Sequence, residues 1–504
     1  MQVRKLLTNV FSNYANVAVG GITGLVLTPV LFRYLQPNNY GLLAFALTAN
    51  AALEAIDLGM ASSLTRYVSV YSAQGRTEEL RGLVSSAFFL LLGIGITGTV
   101  VLVACSPLVA RSFHLRTDVS GDAPLVIALI GLSVSVQLPS AALAAHLMGC
   151  QDFVYRNATE IFAHLVRFAL TIILITTAHG LIVIALVYPF VSLLRFLGLL
   201  VAVSRCSSPI VPQLSSIDIR RLHEISRFAS LSFIEDTATR YYFLADSLLA
   251  ARFLALSDLA VLTVCRRLPT GLTNLAQQPL WVAYPLVSSA WSRGDQKALQ
   301  KYVLVTTRIL LACVIPPSAA MFIWAEPILR YWIGPSILTE IPVFRAVVVF
   351  GLFASIESGP LTLLYGVGRI GFSTALILIL LAALAVAGRW VIPQWGLFGL
   401  AALFAGLYGV GGCLLFARAI RLADLRLNHW FIKGVLPALI PSAIAAGWFC
   451  IGYMLLGPSL IGLITSVITY VIILYYYIVV TTRAGGTRSL RHRIKYLFMG
   501  IDEI

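Results

Sequence analysis

Apolar runs of about 20 residues, separated by short polar or glycine-containing stretches, recur along the whole 504-residue chain. A run of that length crosses the hydrocarbon of a bilayer as a helix. The pattern predicts about fourteen helices, at roughly 9–32, 41–65, 83–105, 124–147, 158–178, 181–203, 228–251, 259–289, 302–325, 343–365, 371–391, 396–418, 432–455 and 459–480. Ala178–Gly180 and Pro393–Gly396 read as tight hairpins between adjacent spans. The seventh and eighth spans carry several charges; length and flanking turns make them helical. The expected fold class is all-α: a polytopic membrane protein of about 14 transmembrane helices.

Composition narrows the classes further. Hydrophobic residues make up 59% of the chain and charged residues 11%, with a mean hydropathy of +0.90. A soluble domain carries about a quarter charged residues, so a cytosolic enzyme, a disordered chain and a disulfide-built secreted protein are excluded. The net charge of +15 does not indicate nucleic acid, because the bases lie between the apolar runs and suit anionic lipid headgroups. With the amino terminus inside, one face collects about 23 of the 36 Lys and Arg and the other about 7. Both termini are therefore expected in the cytoplasm. Arg4 and Lys5 start the chain, but Asn9, Asn13 and Asn16 follow and no cleavage site is visible, so a retained first helix is expected. The seven cysteines are scattered without CxxC spacing, which indicates neither a disulfide framework nor a metal site.

The organisation shows a repeat. Residues 75–92 (GRTEELRGLVSSAFFLLL) and 294–311 (GDQKALQKYVLVTTRILL) share a glycine, a charged turn and an apolar span. The same offset of 219 brings Gly149–Phe153 onto Gly368–Phe372. Six spans separate the copies, which predicts parallel repeats about an axis along the membrane normal. The expected division is an N-terminal lobe 1–212, a C-terminal lobe 213–425, two extra helices 426–482 and a basic cytoplasmic tail 483–504. Residues 214–228 and 487–499 read as interfacial amphipathic helices.

Polar positions inside spans carry the candidate chemistry. Asn9, Asn13, Asn16, Gly20 and Gly24 form one polar, small face of the first helix. Asn50, Glu54 and Asp57 follow helical spacing in the second, and Asn157, Glu160, His164, Arg167 and Thr171 in the fifth. The seventh carries Glu235, Thr239, Tyr242 and Asp246, with Asp236 and Arg240 beside them. The eighth carries Thr263, Arg266, Arg267, Thr270, Asn274, Gln277 and Gln278. Glu160 with His164 or Arg167, and Asp236 with Arg240, stand at pairing distance on a helix. Gly93–Gly98 matches GxGxxG but lies inside an apolar span, where helix packing explains it. No Walker A, HExxH or GxSxG sequence is present.

Tyr34-Leu-Gln-Pro-Asn-Asn-Tyr-Gly41, Leu53-Glu-Ala-Ile-Asp-Leu-Gly59 and Arg66-Tyr67-Val68 resemble the first-helix and second-helix signatures of oligosaccharide flippases of the Wzx type. These belong to the superfamily that also holds MATE multidrug exporters and lipid II flippases. The resemblance implies two six-helix lobes around a central cavity, alternating access and a lipid-linked sugar diphosphate as cargo. It implies a bacterial inner membrane, with membrane lipids, a polysaccharide polymerase and glycosyltransferases as partners, and no enzyme activity, cofactor or metal. Arg266 and Arg267 could hold the phosphates, since a guanidinium fork binds two oxygens at once. Asn274, Gln277 and Gln278 could meet the glycan, and Arg66, Asn13 and Asn16 complete the candidate cavity. Glu54, Asp57, Glu235 and Asp246 are the coupling candidates; they also suit a cation-coupled multidrug exporter. An integral-membrane polymerase or ligase is the third reading. It lacks the large external loop its catalysis needs.

Overall fold

In the computed structural model the described backbone covers residues 2–57, 59–113, 122–177 and 180–483. It is helical throughout. The α-helices in chain order are α1 (Gln2–Glu54), α2 (Met60–Ala73), α3 (Thr77–Ser112), α4 (Ala123–Gly131), α5 (Val134–Gly149), α6 (Phe153–Thr177), α7 (Leu181–Arg205), α8 (Ile219–Phe253), α9 (Leu256–Ser292), α10 (Gln296–Ile323), α11 (Ala325–Trp332), α12 (Ile341–Val367), α13 (Gly371–Leu422), α14 (Leu427–Trp430), α15 (Leu436–Leu456) and α16 (Leu460–Arg483). Nine segments among the described residues are long and apolar enough to cross a membrane. Two of them, in α1 and α13, contain a break and read as paired spans: Gln36 (φ 62°) before Pro37, and Gly396 (φ 57°). The chain is thus a multi-pass membrane protein of the expected class. The tail helix expected at 487–499 and His179 lie outside the described residues.

Two compact units divide the chain: Met1–Gly271 with Arg369–Leu407, and Leu272–Gly368 with Tyr408–Ile504. In the first, α2, α3, α5 and α7 bury Leu64, Val84, Leu91, Leu143 and Val203 in one core. In the second, Val287, Leu299, Val303, Leu363 and Ala419 form one cluster and Trp324, Ala445 and Phe449 another. Many outward positions, such as Ile379, Val386, Ile444 and Ile461, remain apolar and exposed. That is the surface expected to face lipid.

The repeated sequence folds into one turn twice. Before α3, Gln74, Gly75, Arg76, Thr77 and Leu80 donate their backbone N–H groups to Val70, Ser72, Tyr71, Gly75 and Arg76. Before α10, Arg293, Gly294, Asp295, Gln296 and Leu299 donate to Ser289, Trp291, Ala290, Gly294 and Asp295, each 219 residues on. The glycines at the centre have φ of 70° and 68°. That left-handed conformation is cheap for glycine alone.

The second span departs from expectation. Helix continued through Asp57 would have aligned Asn50, Glu54 and Asp57, but α1 ends at Glu54 and the chain turns before α2. Asp57 Oδ1 accepts the backbone N–H of Gly59 at 3.0 Å, an Asx-type turn that stands in for the lost helical bonds. Gly59 has φ 64°, and a Cβ there would press on the Phe233 backbone of α8 at 3.1 Å.

At the other end of that span α1 crosses the start of α9. A Cβ at Gly41 would run into the Leu256 carbonyl, a backbone atom that cannot swing away. Gly41→Ala is expected to cost about 1–3 kcal/mol through overpacking. Thermal denaturation in detergent checks this: the midpoint should fall, and a wild-type midpoint would refute the close packing.

Candidate functional site

The small, polar face of α1 receives a series of side chains in the first unit. Asn9 Nδ2 donates to the Gln151 carbonyl at 3.0 Å. One step along, Asn157 of α6 donates to Asn13 Oδ1 at 2.7 Å and to Ser12 Oγ at 2.9 Å. Asn157 is fully buried. Asn16 Oδ1 is buried without a hydrogen bond from the described residues. A Cβ at Gly20 would lie 3.0 Å from His164 Nε2. At Gly24 it would collide with the Arg267 guanidinium, with Cζ 3.0 Å and Nε 3.1 Å away. The two glycines therefore make room for a histidine of α6 and an arginine of α9.

The adjacent arginines have different fates, as residues 100° apart on a helix must. Arg266 is half-buried and pairs through Nη1 with Asp246 of α8. It also donates to the Phe243 carbonyl at 3.1 Å. Arg267 is exposed, and the salt bridges among the described residues do not include it. Its guanidinium lies within electrostatic reach of Tyr40, Tyr188 and His164. Arg167 stacks near the same Tyr188, 5.5 Å from the ring centre, and its Nε is buried without a hydrogen bond to the described residues. Cationic groups thus gather on this side of α1, open to an anion.

The remaining charges are braced. Arg195 of α7 grips Glu160 of α6 with Nε 2.9 Å from both carboxylate oxygens and Nη2 2.7 Å from Oε1. The helical pairing expected for Glu160, with His164 or Arg167, is replaced by this cross-helix fork; His164 turns to Gly20 instead. Arg240 reaches Asp57 at 3.0 Å. Glu54 takes the Asn50 amide. Asn50 continues to Gln137 Oε1 at 2.9 Å and accepts from Ser133 at 3.1 Å, and Gln137 donates to Ser192 at 3.1 Å. Glu235, buried, accepts the Ser373 hydroxyl at 2.7 Å.

Four candidates are not among these contacts. Arg66 is exposed on α2. Asn274, Gln277 and Gln278 belong to the second unit, where Gln278 Nε2 donates to the Asn274 carbonyl at 3.2 Å. Sequence reading missed Arg195, Gln137 and Ser192. Arg195 had a signal, being a lone charge in the middle of an apolar span. Folding also joins what spacing kept separate: His146 Nε2 lies 3.8 Å from Cys150 Sγ and 3.7 Å from Cys206 Sγ.

The polysaccharide biosynthesis protein family matches residues 6–291. No curated protein sequence matches the chain. Among solved structures the chain is similar to the lipid II flippase MurJ in an inward closed conformation, with TM-score 0.70, 15% identity, and coverage of 94% of this chain and 100% of that one. It is also similar to an inward-facing multidrug resistance MATE family transporter of the MOP superfamily, with TM-score 0.68, 14% identity, and coverage of 80% and 94%. A MOP superfamily transporter from Pyrococcus furiosus gives TM-score 0.61, 12% identity, and coverage of 84% and 96%. At these identities the likeness is one of fold.

The Glu160–Arg195 fork is the best-formed ion pair of this site. Arg195→Ala is expected to cost about 3–5 kcal/mol, because it strands a carboxylate. Glu160→Ala with Arg195→Ala should cost less than Arg195→Ala alone. A double-mutant cycle on thermal stability tests this; strict additivity would show that the pair is not coupled.

Proposed function

We infer what this chain does from its family: it belongs to the polysaccharide biosynthesis protein family, with the fold of the MOP-superfamily transporters. It is a multi-pass membrane protein of the flippase and transporter kind. We propose that it translocates an undecaprenyl-diphosphate-linked oligosaccharide across the bacterial inner membrane, for surface polysaccharide export. It does so by alternating access and without covalent chemistry, its two termini in the cytoplasm. The polymerase and glycosyltransferases of the same polysaccharide are its partners. The lobe division at 1–212 and 213–425 belongs to this reading.

The observation that carries the proposal is Arg267. A diphosphate needs fixed cations whose charge is not already spent. Asp246 neutralises Arg266, whereas Arg267 stands beside Gly24 with no ion pair among the described residues. Arg167 adds positive character nearby. Arg267 is thus the phosphate contact and Arg266 the residue that fixes α9 against α8. Asn13, Asn16 and Arg66 are the proposed glycan contacts of the first unit. The lipid tail stays in the bilayer.

The second reading, a cation-coupled multidrug exporter, draws on the carboxylates. Asp57 and Asp246 are held by Arg240 and Arg266. Glu54 and Glu235 meet an amide and a hydroxyl, and all four remain the coupling candidates.

Complementation of surface polysaccharide in a flippase-deficient cell tests the assignment, with membrane abundance measured in parallel. Arg267→Ala should reduce export at least ten-fold at normal abundance. Arg267→Lys should restore part of it, since it keeps the charge but loses the fork. Arg266→Ala should instead lower abundance, by stranding Asp246. Normal export by Arg267→Ala at normal abundance would overturn the proposal.

A further inference from the structure

A carboxyl outside the site described above has no counterpart in it. Glu357 lies within α12, inside a segment (Pro335–Val367) apolar enough to span a membrane. Other acidic side chains in the membrane-spanning helices are engaged: Glu160 by Arg195, Asp246 by Arg266, Glu54 by Asn50 and Glu235 by Ser373. Glu357 accepts no hydrogen bond and makes no ion pair among the described residues.

Among the described residues no cation is paired with it. On α13, Gly412 faces it, and a Cβ there would rest 3.8 Å from Glu357 Cβ. One turn away, Gly409 faces Phe353. The neighbouring Ile356 packs on Leu311, Val435 and Ala438. Titratable groups on the helices packed against α12 are few. On α10, Tyr302 donates to the Gly359 carbonyl at 3.1 Å and Arg308 reaches the Lys433 carbonyl at 2.6 Å; Lys297 and Lys301 sit in its first turns and Cys313 beyond. Within the second unit, α13 contributes Tyr408, Cys413, Arg418 and Arg421, and α9 contributes Tyr284. In α11, Glu326 is paired with Arg330, with Tyr331 beside it.

An ionised carboxylate with no cation and no donor is costly in such a place, whereas the neutral acid is not. A metal cation would need several oxygen ligands held around it, and no group of three or more His, Cys, Asp or Glu side chains gathers here among the described residues. A proton needs only the one group. The helix is also weakened beside it: Pro360 has no N–H for the Ile356 carbonyl, so the backbone can bend there. We propose that Glu357 is a proton-carrying site, occupied as the neutral acid at rest and emptied during each transport cycle. The role in the cycle rests on the translocation reading; the protonated resting state does not.

The test uses the full chain in phosphatidylethanolamine–phosphatidylglycerol vesicles and dicyclohexylcarbodiimide, a lipophilic reagent that adds to protonated carboxyls in apolar surroundings. Peptide mass mapping should find the adduct on Glu357 at pH 6–7, decreasing as pH rises, and none in Glu357→Gln. Absence of the adduct at pH 6 in protein that elutes as a single folded peak overturns the proposal. Protection by added sodium at constant pH also overturns it, because the site would then hold sodium. In the complementation assay, Glu357→Gln should cut export at least ten-fold at normal abundance, with Glu357→Asp retaining a proton-gradient dependence that nigericin abolishes. Full export by Glu357→Gln that nigericin still inhibits removes the coupling role. Labelling needs no cargo, so its failure is distinct from a failure of the Arg267 assignment.

Discussion

Hydrocarbon offers no hydrogen bonds, so every polar group that enters it has to be satisfied by the chain itself. Most of the architecture follows from that constraint. Hydroxyls inside spans fold back on their own helices, as Thr28 does on the Gly24 carbonyl at 2.7 Å and Thr48 on Ala44 at 2.8 Å. Where a helix stops inside the bundle, a side chain takes over the orphaned backbone groups: Asp57 accepts the Gly59 amide while Arg240 neutralises it. Where a charge enters, it brings its partner from the next helix, and the Glu160–Arg195 fork ties α6 to α7.

The same constraint explains what could be read from the sequence. Helix positions were legible because apolar runs of span length have one stable state in lipid. The small face of α1 was legible because its spacing survives folding, and each of Asn9, Asn13, Gly20 and Gly24 meets a partner from another helix or loop. The partners were not legible. Helical spacing pointed Glu160 toward His164 or Arg167, since those are its neighbours along one helix. A bidentate fork across two helices is stronger than an i,i+4 contact with an imidazole, and only the packing of α6 on α7 brings Arg195 into range. The break after Glu54 was hidden for a related reason: nothing in the hydropathy of residues 50–65 distinguishes a continuous helix from one interrupted by a glycine at φ 64°.

The repeat shows how far weak sequence similarity can carry a backbone. Few residues match between 75–92 and 294–311, yet five turn hydrogen bonds recur at one offset. What has to be kept is a glycine able to take the left-handed conformation, followed by a helix start. Arg76 with Glu79 in one copy, and Asp295 capping Ala298 in the other, achieve that start by different chemistry. Identity is lost while the physical requirement persists.

Adjacent arginines on α9 give the clearest case of position deciding role. Both carry the same charge in the same span, and composition cannot separate them. The 100° between them sends Arg266 toward α8, where Asp246 and the Phe243 carbonyl use up its donors. It sends Arg267 toward α1, where glycine replaces any side chain that could have paired with it. A carboxylate at position 24 would have made a second structural ion pair. Glycine there keeps the guanidinium close to the helix and its charge unspent. The capacity to bind an anion thus depends as much on what α1 omits as on what α9 supplies.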